Sequence, residues 1–156
     1  MSLMGAGKGV DKQRLYLSGV AGLYEALAPF ADPIIRITLG LILIPHGFGK
    51  LFLADAVPAS RNFVMFGWAY PLAWAYFIGV VEFFGGIMLA IGLFTRVVAA
   101  GIFIEMMVIS FAVLYPNWSW GKRGMEYALF MGIVALVVFI RGGGRYSVDR
   151  LMSKEF

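Results

Sequence analysis

The chain has 156 residues, of which 61% are hydrophobic and only 14% are charged, with a formal net charge of +4. Soluble domains carry about 25% charged residues, so this composition excludes an ordinary soluble protein and indicates membrane-spanning helices. The chain has no cysteine and one histidine, which excludes a disulfide and haem, iron–sulfur or zinc sites built by this chain alone. Its scattered basic residues argue against a nucleic-acid partner.

The first segment, residues 1–32, is predicted to be cytoplasmic and to carry an amphipathic helix. Its apolar residues recur at helical spacing, at Tyr16, Val20, Leu23, Tyr24, Leu27 and Ala31. Such a helix either lies in the membrane interface, which we adopt as the prediction, or packs on the rest of the protein. Asp32 followed by Pro33 is typical of a helix start, with Asp as the N-cap and Pro at the first position.

Four membrane spans are predicted next, each near the roughly 17–25 residues that a crossing needs. They cover about residues 34–53, 70–93, 96–115 and 125–141. The turn between the second and third spans fits only an antiparallel hairpin. The fold class is therefore an all-α membrane protein, an antiparallel bundle of four transmembrane helices with an N-terminal amphipathic interfacial helix. The domain division is 1–32, then a transmembrane domain at 33–152, then a tail at 153–156.

The orientation follows from the basic residues, which are more numerous on the side that holds both termini. That side has nine of them: Lys8, Lys12, Arg14, Arg36, Arg96, Arg141, Arg145, Arg150 and Lys154. The other side has four: Lys50, Arg61, Lys122 and Arg123. The positive-inside rule places both termini in the cytoplasm. All four tryptophans lie on the outer side, where they form either an interfacial belt or a wall for a flat ring ligand.

The acidic residues Glu82 and Glu105 interrupt two of the spans. A carboxylate at bilayer depth costs roughly 2.5–3.5 kcal/mol, so each should face a partner or a cavity instead of lipid. From the rise along a helix, both share a middle-to-outer layer with His46, while Lys50 and Glu126 lie in the layer above.

These groups are predicted to converge on one interior pocket that opens toward the outer side. Glu82, His46 and Lys50 are the candidate catalytic residues, and Glu105, Glu126 and Trp74 are candidates for binding a cofactor. Pro45, which removes the bond to the Leu41 carbonyl, is expected to bend the first span beside this pocket. Two alternatives stay open: the carboxylates form only interhelical polar contacts, and Lys50 extends toward the headgroups. No metal site is predicted.

The glycine-rich run from Arg141 to Arg145 follows a membrane helix, so it indicates a helix stop and a cytoplasmic anchor instead of a phosphate loop. Asp149 is expected either to cap a helix or to pair with Arg96, Arg145 or Arg150. Arg36, Arg96, Arg145 and Asp149 are predicted to have a structural role.

The sequence resembles the DoxX family of small four-span membrane proteins over about residues 34–152. The matching residues are Arg36, Gly40, His46, Gly47, Lys50, Leu51, Glu82, Gly85, Gly86, Leu89, Gly92, Leu93, Thr95, Arg96, Ala99, Glu126, Gly142, Gly144, Arg145, Tyr146, Ser147 and Asp149. The resemblance implies a bacterial inner-membrane protein of an oxidoreductase system, similar to the small subunit of thiosulfate:quinone oxidoreductase. Glu105 has no match in this pattern.

Two functions are therefore expected as alternatives. In the first, the chain is a non-autonomous subunit of a quinone-linked oxidoreductase, and its intramembrane carboxylates handle protons for a quinone. In the second, it is a non-catalytic accessory subunit that anchors or stabilises a larger respiratory or photosynthetic complex. The expected partners are membrane lipids and either other subunits or further copies of the chain.

Overall fold

The computed structural model describes residues 16–152, and every regular element in that part of the chain is a helix. These are α1 (Ala21–Leu27), α2 (Ala31–Phe52), α3 (Ala56–Met65), α4 (Pro71–Ile91), α5 (Thr95–Val108) with a π-helical continuation (Ile109–Leu114), and α6 (Glu126–Arg141). Short 3₁₀ turns lie at Ser18–Val20, Ala28–Phe30, Trp120–Lys122 and Asp149–Leu151. The prediction of an all-α fold is confirmed. The predicted tail at 153–156 and the basic residues Lys8, Lys12, Arg14 and Lys154 lie outside the described residues.

Three helical stretches are long and apolar enough to cross a membrane: Ala21–Phe52, Pro71–Ile91 and Thr95–Leu114. The chain is therefore a multi-pass membrane protein. Helix α6 has 16 residues, which at the usual rise is about 24 Å, slightly short for a crossing. It runs antiparallel to α5, since Arg96 at the start of α5 contacts carbonyls at the end of α6. A fourth crossing, like the cytoplasmic location of the termini, stays a prediction.

The described chain divides into two compact units between Ala31 and Asp32. In the first unit, Leu23, Tyr24 and Leu27 of α1 are all exposed, and the location of α1 in the membrane interface stays a prediction. The predicted helix start at Asp32 is wrong by one residue, because α2 begins at Ala31. The Asp32 carboxylate accepts hydrogen bonds from the Arg141 guanidinium, and α2 continues through Pro45.

Helices α2 and α4 meet along a seam of glycines, spaced two turns apart on each helix. A Cβ atom placed on Gly86 would lie 2.8 Å from the Gly40 carbonyl oxygen, and one placed on Gly47 would lie 2.7 Å from the Gly79 carbonyl oxygen. Only residues without a side chain permit such close backbone contact, which is how small residues pack helices in lipid. A Cβ atom on Gly79 would lie 2.9 Å from the Cβ atom of Lys50. The seam therefore fixes where Lys50 meets α4.

One end of the bundle is held together by five charged side chains, which we call the clasp. They are Asp32, Arg36, Arg96, Arg141 and Asp149. Arg36 is 1% exposed and donates to the carbonyls of Leu89 and Ala90 at the end of α4, and to those of Gly143 and Tyr146. A cation suits the carbonyl-rich end of a helix. Arg36 thus joins α2, α4 and the C-terminal segment.

Asp149 and Arg96 complete the clasp. The Asp149 carboxylate accepts from the backbone N–H groups of Phe94 at 2.6 Å and Thr95 at 2.9 Å, which caps the start of α5. Arg96 donates to the carbonyls of Phe139 at 3.2 Å and Ile140 at 3.1 Å. Arg145 is exposed and lies over the ring of Tyr146. Of the two roles expected for Asp149, the structure shows the cap.

At the opposite end, which we call the loop end, the segment between the first two long helices is more ordered than a simple link. Residues 56–65 form α3, which packs against α4. Sequence reasoning treated residues 54–69 as a connection and missed this helix. Its side chains Ala59, Asn62 and Phe63 line a cavity, so α3 contributes to the site described next.

Candidate functional site

The centre of the site is an ion pair between Lys50 on α2 and Glu82 on α4. The Lys50 Nζ atom lies 2.5 Å from Glu82 Oε2, and the two side chains are 17% and 5% exposed. The Lys50 side chain therefore points to a partner within the bundle instead of to the headgroups. Glu82 is flanked by Gly79 on one side and by Gly85 and Gly86 on the other. Gly79 and Gly86 let α2 approach closely enough for the pair to form, whereas Gly85 faces Val98 and Ile102 of α5.

Glu105 on α5 is the third charged group at this position, and it is 6% exposed. Its carboxylate is near enough to interact electrostatically with both Glu82 and Lys50. Neither of its oxygens completes a hydrogen bond of ordinary geometry with any residue in 16–152. Buried polar groups in proteins are nearly always paired. The Glu105 carboxyl thus faces Glu82 and keeps hydrogen-bonding capacity for a polar atom that enters the site.

Lys50, Glu82 and Glu105 all line a cavity of about 500 Å³, which we call the apolar cavity. Its remaining walls are mostly hydrocarbon and aromatic: Phe63, Trp68, Trp74, Ala75, Phe77, Ile78, Val81, Ile104, Val108, Ile109, Val113 and Leu114. Several of these residues, including Phe77, Ile104 and Val108, are exposed on the outer surface of the helices. The cavity therefore opens toward the side of the bundle that would face lipid.

Four aromatic rings are clustered at the wall formed by α3 and α4. The ring centroids of Phe63 and Trp68 are 5.4 Å apart, those of Trp68 and Trp74 are 5.0 Å apart, and those of Trp74 and Phe77 are 5.8 Å apart. The last two pairs meet edge to face, an arrangement that aromatic rings favour. Trp74 and Trp68 thus form part of a cavity wall, as one of the two sequence interpretations allowed.

A second cavity of about 370 Å³, which we call the polar chamber, also has the ion pair in its wall. Its lining includes His46, Trp120, Arg123, Tyr127, Ala128 and Met131. Five residues line both cavities: Lys50, Glu82, Ile109, Leu114 and Arg123. The ion pair therefore stands between an apolar space and a polar one.

The structure places the sequence-predicted site residues in four locations. Lys50, Glu82, Glu105 and Trp74 line the apolar cavity, whereas His46 is exposed and lines the polar chamber together with Lys50 and Glu82. The Glu126 carboxylate accepts from the backbone N–H of Trp120 at 2.6 Å, which stabilises the loop before α6. Arg36, Arg96, Arg145 and Asp149 lie at the other end of the bundle.

Several lining residues were missed from the sequence. Asn62 and Phe63 come from α3. Pro58, in the first turn of that helix, was the available signal for a helix start. Arg123 lies in a loop with φ of 56°, and no sequence pattern indicates where such a side chain points. Ile109 and Leu114 bound the π-helical segment, a geometry often found at functional sites.

Comparison with known proteins places the chain in a family. The DoxX family model matches residues 31–114, which include Lys50, Glu82 and Glu105 but not α6. The chain is also 28% identical over 146 residues to the uncharacterized membrane protein Rv3486 of Mycobacterium tuberculosis, an alignment that covers 85% of this chain and 88% of that protein. No solved structure matches. Because the family match spans more than half of its length, the chain belongs to the DoxX family.

Proposed function

We propose that this protein is a membrane subunit of an oxidoreductase system and binds a quinone, or a similar flat lipophilic ring, in the apolar cavity. The observation that carries the proposal is the buried Glu105 carboxyl beside the Lys50–Glu82 pair, at the wall of a lipid-facing aromatic cavity. We further propose that electrons come from a partner subunit in the bacterial inner membrane.

The shape and chemistry of the cavity fit such a ligand. Small-molecule sites measure about 300–1,000 Å³ and combine apolar walls with a few polar groups that fix orientation. The apolar cavity, at about 500 Å³, is within that range. The rings of Trp68 and Trp74 offer flat apolar contacts for a planar ligand, and the opening toward lipid suits a molecule that is dissolved in the membrane.

The polar groups of the cavity match the needs of a quinone. When bound, a quinone would supply the capacity to take up two electrons and two protons. The Lys50 ammonium has three N–H donors, of which one is directed to Glu82, so the others are available to a ligand carbonyl. The Glu105 carboxyl is able to accept or donate a hydrogen bond according to its protonation. These residues hold and orient protons beside the ligand.

Tryptophan fluorescence provides a direct test, because quinones quench nearby indole rings. Purified protein in detergent is titrated with a short-chain quinone, and we expect saturable quenching. The double variant Trp68→Phe/Trp74→Phe should lose most of the saturable part. The matched double variant Trp118→Phe/Trp120→Phe should keep it, since neither of these residues lines the apolar cavity.

The charged groups are tested in the same titration. A quinone carbonyl only accepts hydrogen bonds, so Glu105 would bind it by donating from the neutral acid. Such a bond is worth about 0.5–1.5 kcal/mol, so Glu105→Leu should weaken quinone binding by about two- to tenfold. Quenching that never saturates, or that depends equally on both tryptophan pairs, would contradict the proposal and favour the accessory role.

A further inference from the structure

The polar chamber is a space of different character from the ligand cavity. Its walls carry ionisable or hydrogen-bonding side chains from every element around it except α5: His46 and Lys50 from α2, Glu82 from α4, Trp120 and Arg123 from the loop, and Tyr127 from α6. Helix α5 and its continuation contribute Met106, Ile109 and Leu114. The chamber meets the apolar cavity at the Lys50–Glu82 pair, and Glu105 lines only the apolar cavity.

The chamber is large enough to hold water, and polar side chains are set among the apolar residues of its wall. A water molecule occupies about 30 Å³ of liquid, so 370 Å³ has room for about a dozen. His46 and Tyr127 each offer both a donor and an acceptor, so water between them is hydrogen-bonded on more than one side. Water prefers polar cavities and leaves apolar ones dry. The two cavities should therefore differ in content.

The position of the chamber connects it to the loop end of the bundle. Trp120, Arg123 and Gly124 belong to the segment between α5 and α6, and Ala128 and Met131 lie on the first two turns of α6. The lining of the chamber therefore extends from the loop end of the bundle to the Lys50–Glu82 pair.

We propose that the polar chamber is the aqueous route through which the Lys50–Glu82 pair exchanges protons with the loop-end solution, separate from the lipid-facing route of the ligand. In this arrangement, the ion pair stands between a water-filled space and a dry one. The proton-exchange role rests on the proposed function, but the aqueous character of the chamber is testable without it.

Cysteine accessibility tests the chamber directly, because the chain has no cysteine of its own. Ala128 lines the chamber, while Ala135, two turns further along α6 on the same face, is 0% exposed in the core. In vesicles, a charged, membrane-impermeant thiosulfonate should modify Ala128→Cys and leave Ala135→Cys unmodified. Protection of Ala128→Cys, or equal reaction of both variants, would overturn the proposal.

A third variant tests whether the two cavities are separate. Ala75 lines only the apolar cavity and is 0% exposed. We expect Ala75→Cys to resist the charged reagent but to react with an uncharged hydrophobic maleimide, and to be protected by a short-chain quinone. Reaction of Ala75→Cys with the charged reagent as fast as Ala128→Cys would show one shared aqueous space and would overturn the proposal.

The proton route is tested by filling the chamber. After Ala128→Cys is modified by the charged reagent, saturable quenching of Trp74 by quinone should persist, while quinone reduction in native membranes should fall. Unchanged reduction would overturn the route, and loss of quenching would overturn the separation of the cavities. Absence of quenching in the unmodified protein would instead defeat the proposed function, and the labelling results would still decide whether the chamber holds water.

Discussion

The Lys50 ammonium donates to the Glu82 carboxylate across 2.5 Å, and this contact joins α2 to α4 inside the bundle. Around it, glycines let α2 and α4 approach closely. The ion pair fills space that larger residues would otherwise occupy. An ion pair in this setting need not stabilise the fold, because removing two charges from water costs about as much as their attraction returns. Its persistence at the boundary of two cavities is consistent with a role in the proposed chemistry.

Lys50→Met should lower the free energy of unfolding by about 3–5 kcal/mol, because it leaves Glu82 buried without its partner. The measurement is unfolding in mixed detergent micelles with increasing dodecyl sulfate. The double variant Lys50→Met/Glu82→Leu should recover most of the loss, and a double variant as unstable as Lys50→Met would contradict this reasoning.

Glu105→Leu should stabilise the protein while weakening quinone binding. The Glu105 carboxyl is buried beside the Glu82 carboxyl, and neither of its oxygens makes a hydrogen bond of ordinary geometry among residues 16–152; an incompletely paired buried group costs about 1–3 kcal/mol. Glu126→Leu is the matched control, because its carboxylate accepts a bond from Trp120 and its loss should destabilise the protein. If both variants are destabilised equally in thermal unfolding, Glu105 has a partner that the described contacts do not include.

Gly86→Ala should destabilise the seam between α2 and α4. The added methyl group would lie 2.8 Å from the Gly40 carbonyl oxygen and 3.0 Å from a side-chain carbon of Ile44, and overpacking of this kind costs about 1–3 kcal/mol. Gly101→Ala is the control, because a Cβ atom there has no neighbour within 4 Å, and alanine should gain about 0.5–1 kcal/mol in a helix. Thermal midpoints of the two variants should therefore move in opposite directions.

Asp149→Ala should loosen the start of α5, since it removes both acceptors of the Phe94 and Thr95 N–H groups. The expected cost is about 0.5–2 kcal/mol, typical of a lost helix cap. Hydrogen exchange at these two amides reports the effect locally and should become faster. Arg150→Ala changes an exposed neighbour and should leave exchange unchanged, so acceleration in both variants would argue against the cap.

The sequence predicted the helical membrane fold and the importance of Glu82 because charge within a long apolar run is physically costly and easy to see. It also predicted that Lys50, in the layer above Glu82, converges with it on one pocket. Depth does not give rotation about the helix axis, however. His46 was expected beside both carboxylates; it lines the polar chamber together with Lys50 and Glu82, whereas Glu105 lines only the apolar cavity.

Helix α3 was missed for a different reason. Ten residues between two long apolar runs carry too little apolar surface to stand out, and their helix is stabilised by packing on α4, a tertiary effect that local sequence does not show. The same limit applies to Arg123, whose loop backbone orients it toward both cavities.

The clasp holds the helices together at one end of the bundle. At that end, Arg36, Arg96 and Asp149 bind the ends of three helices through main-chain atoms, whereas toward the loop end the polar contact described between α2 and α4 is the Lys50–Glu82 pair. The helix ends that the clasp binds should move less than the helix ends at the loop end. A ring from the lipid is therefore expected to enter where α3, α4 and α5 line the apolar cavity at the loop end, while the contacts of the clasp stay intact.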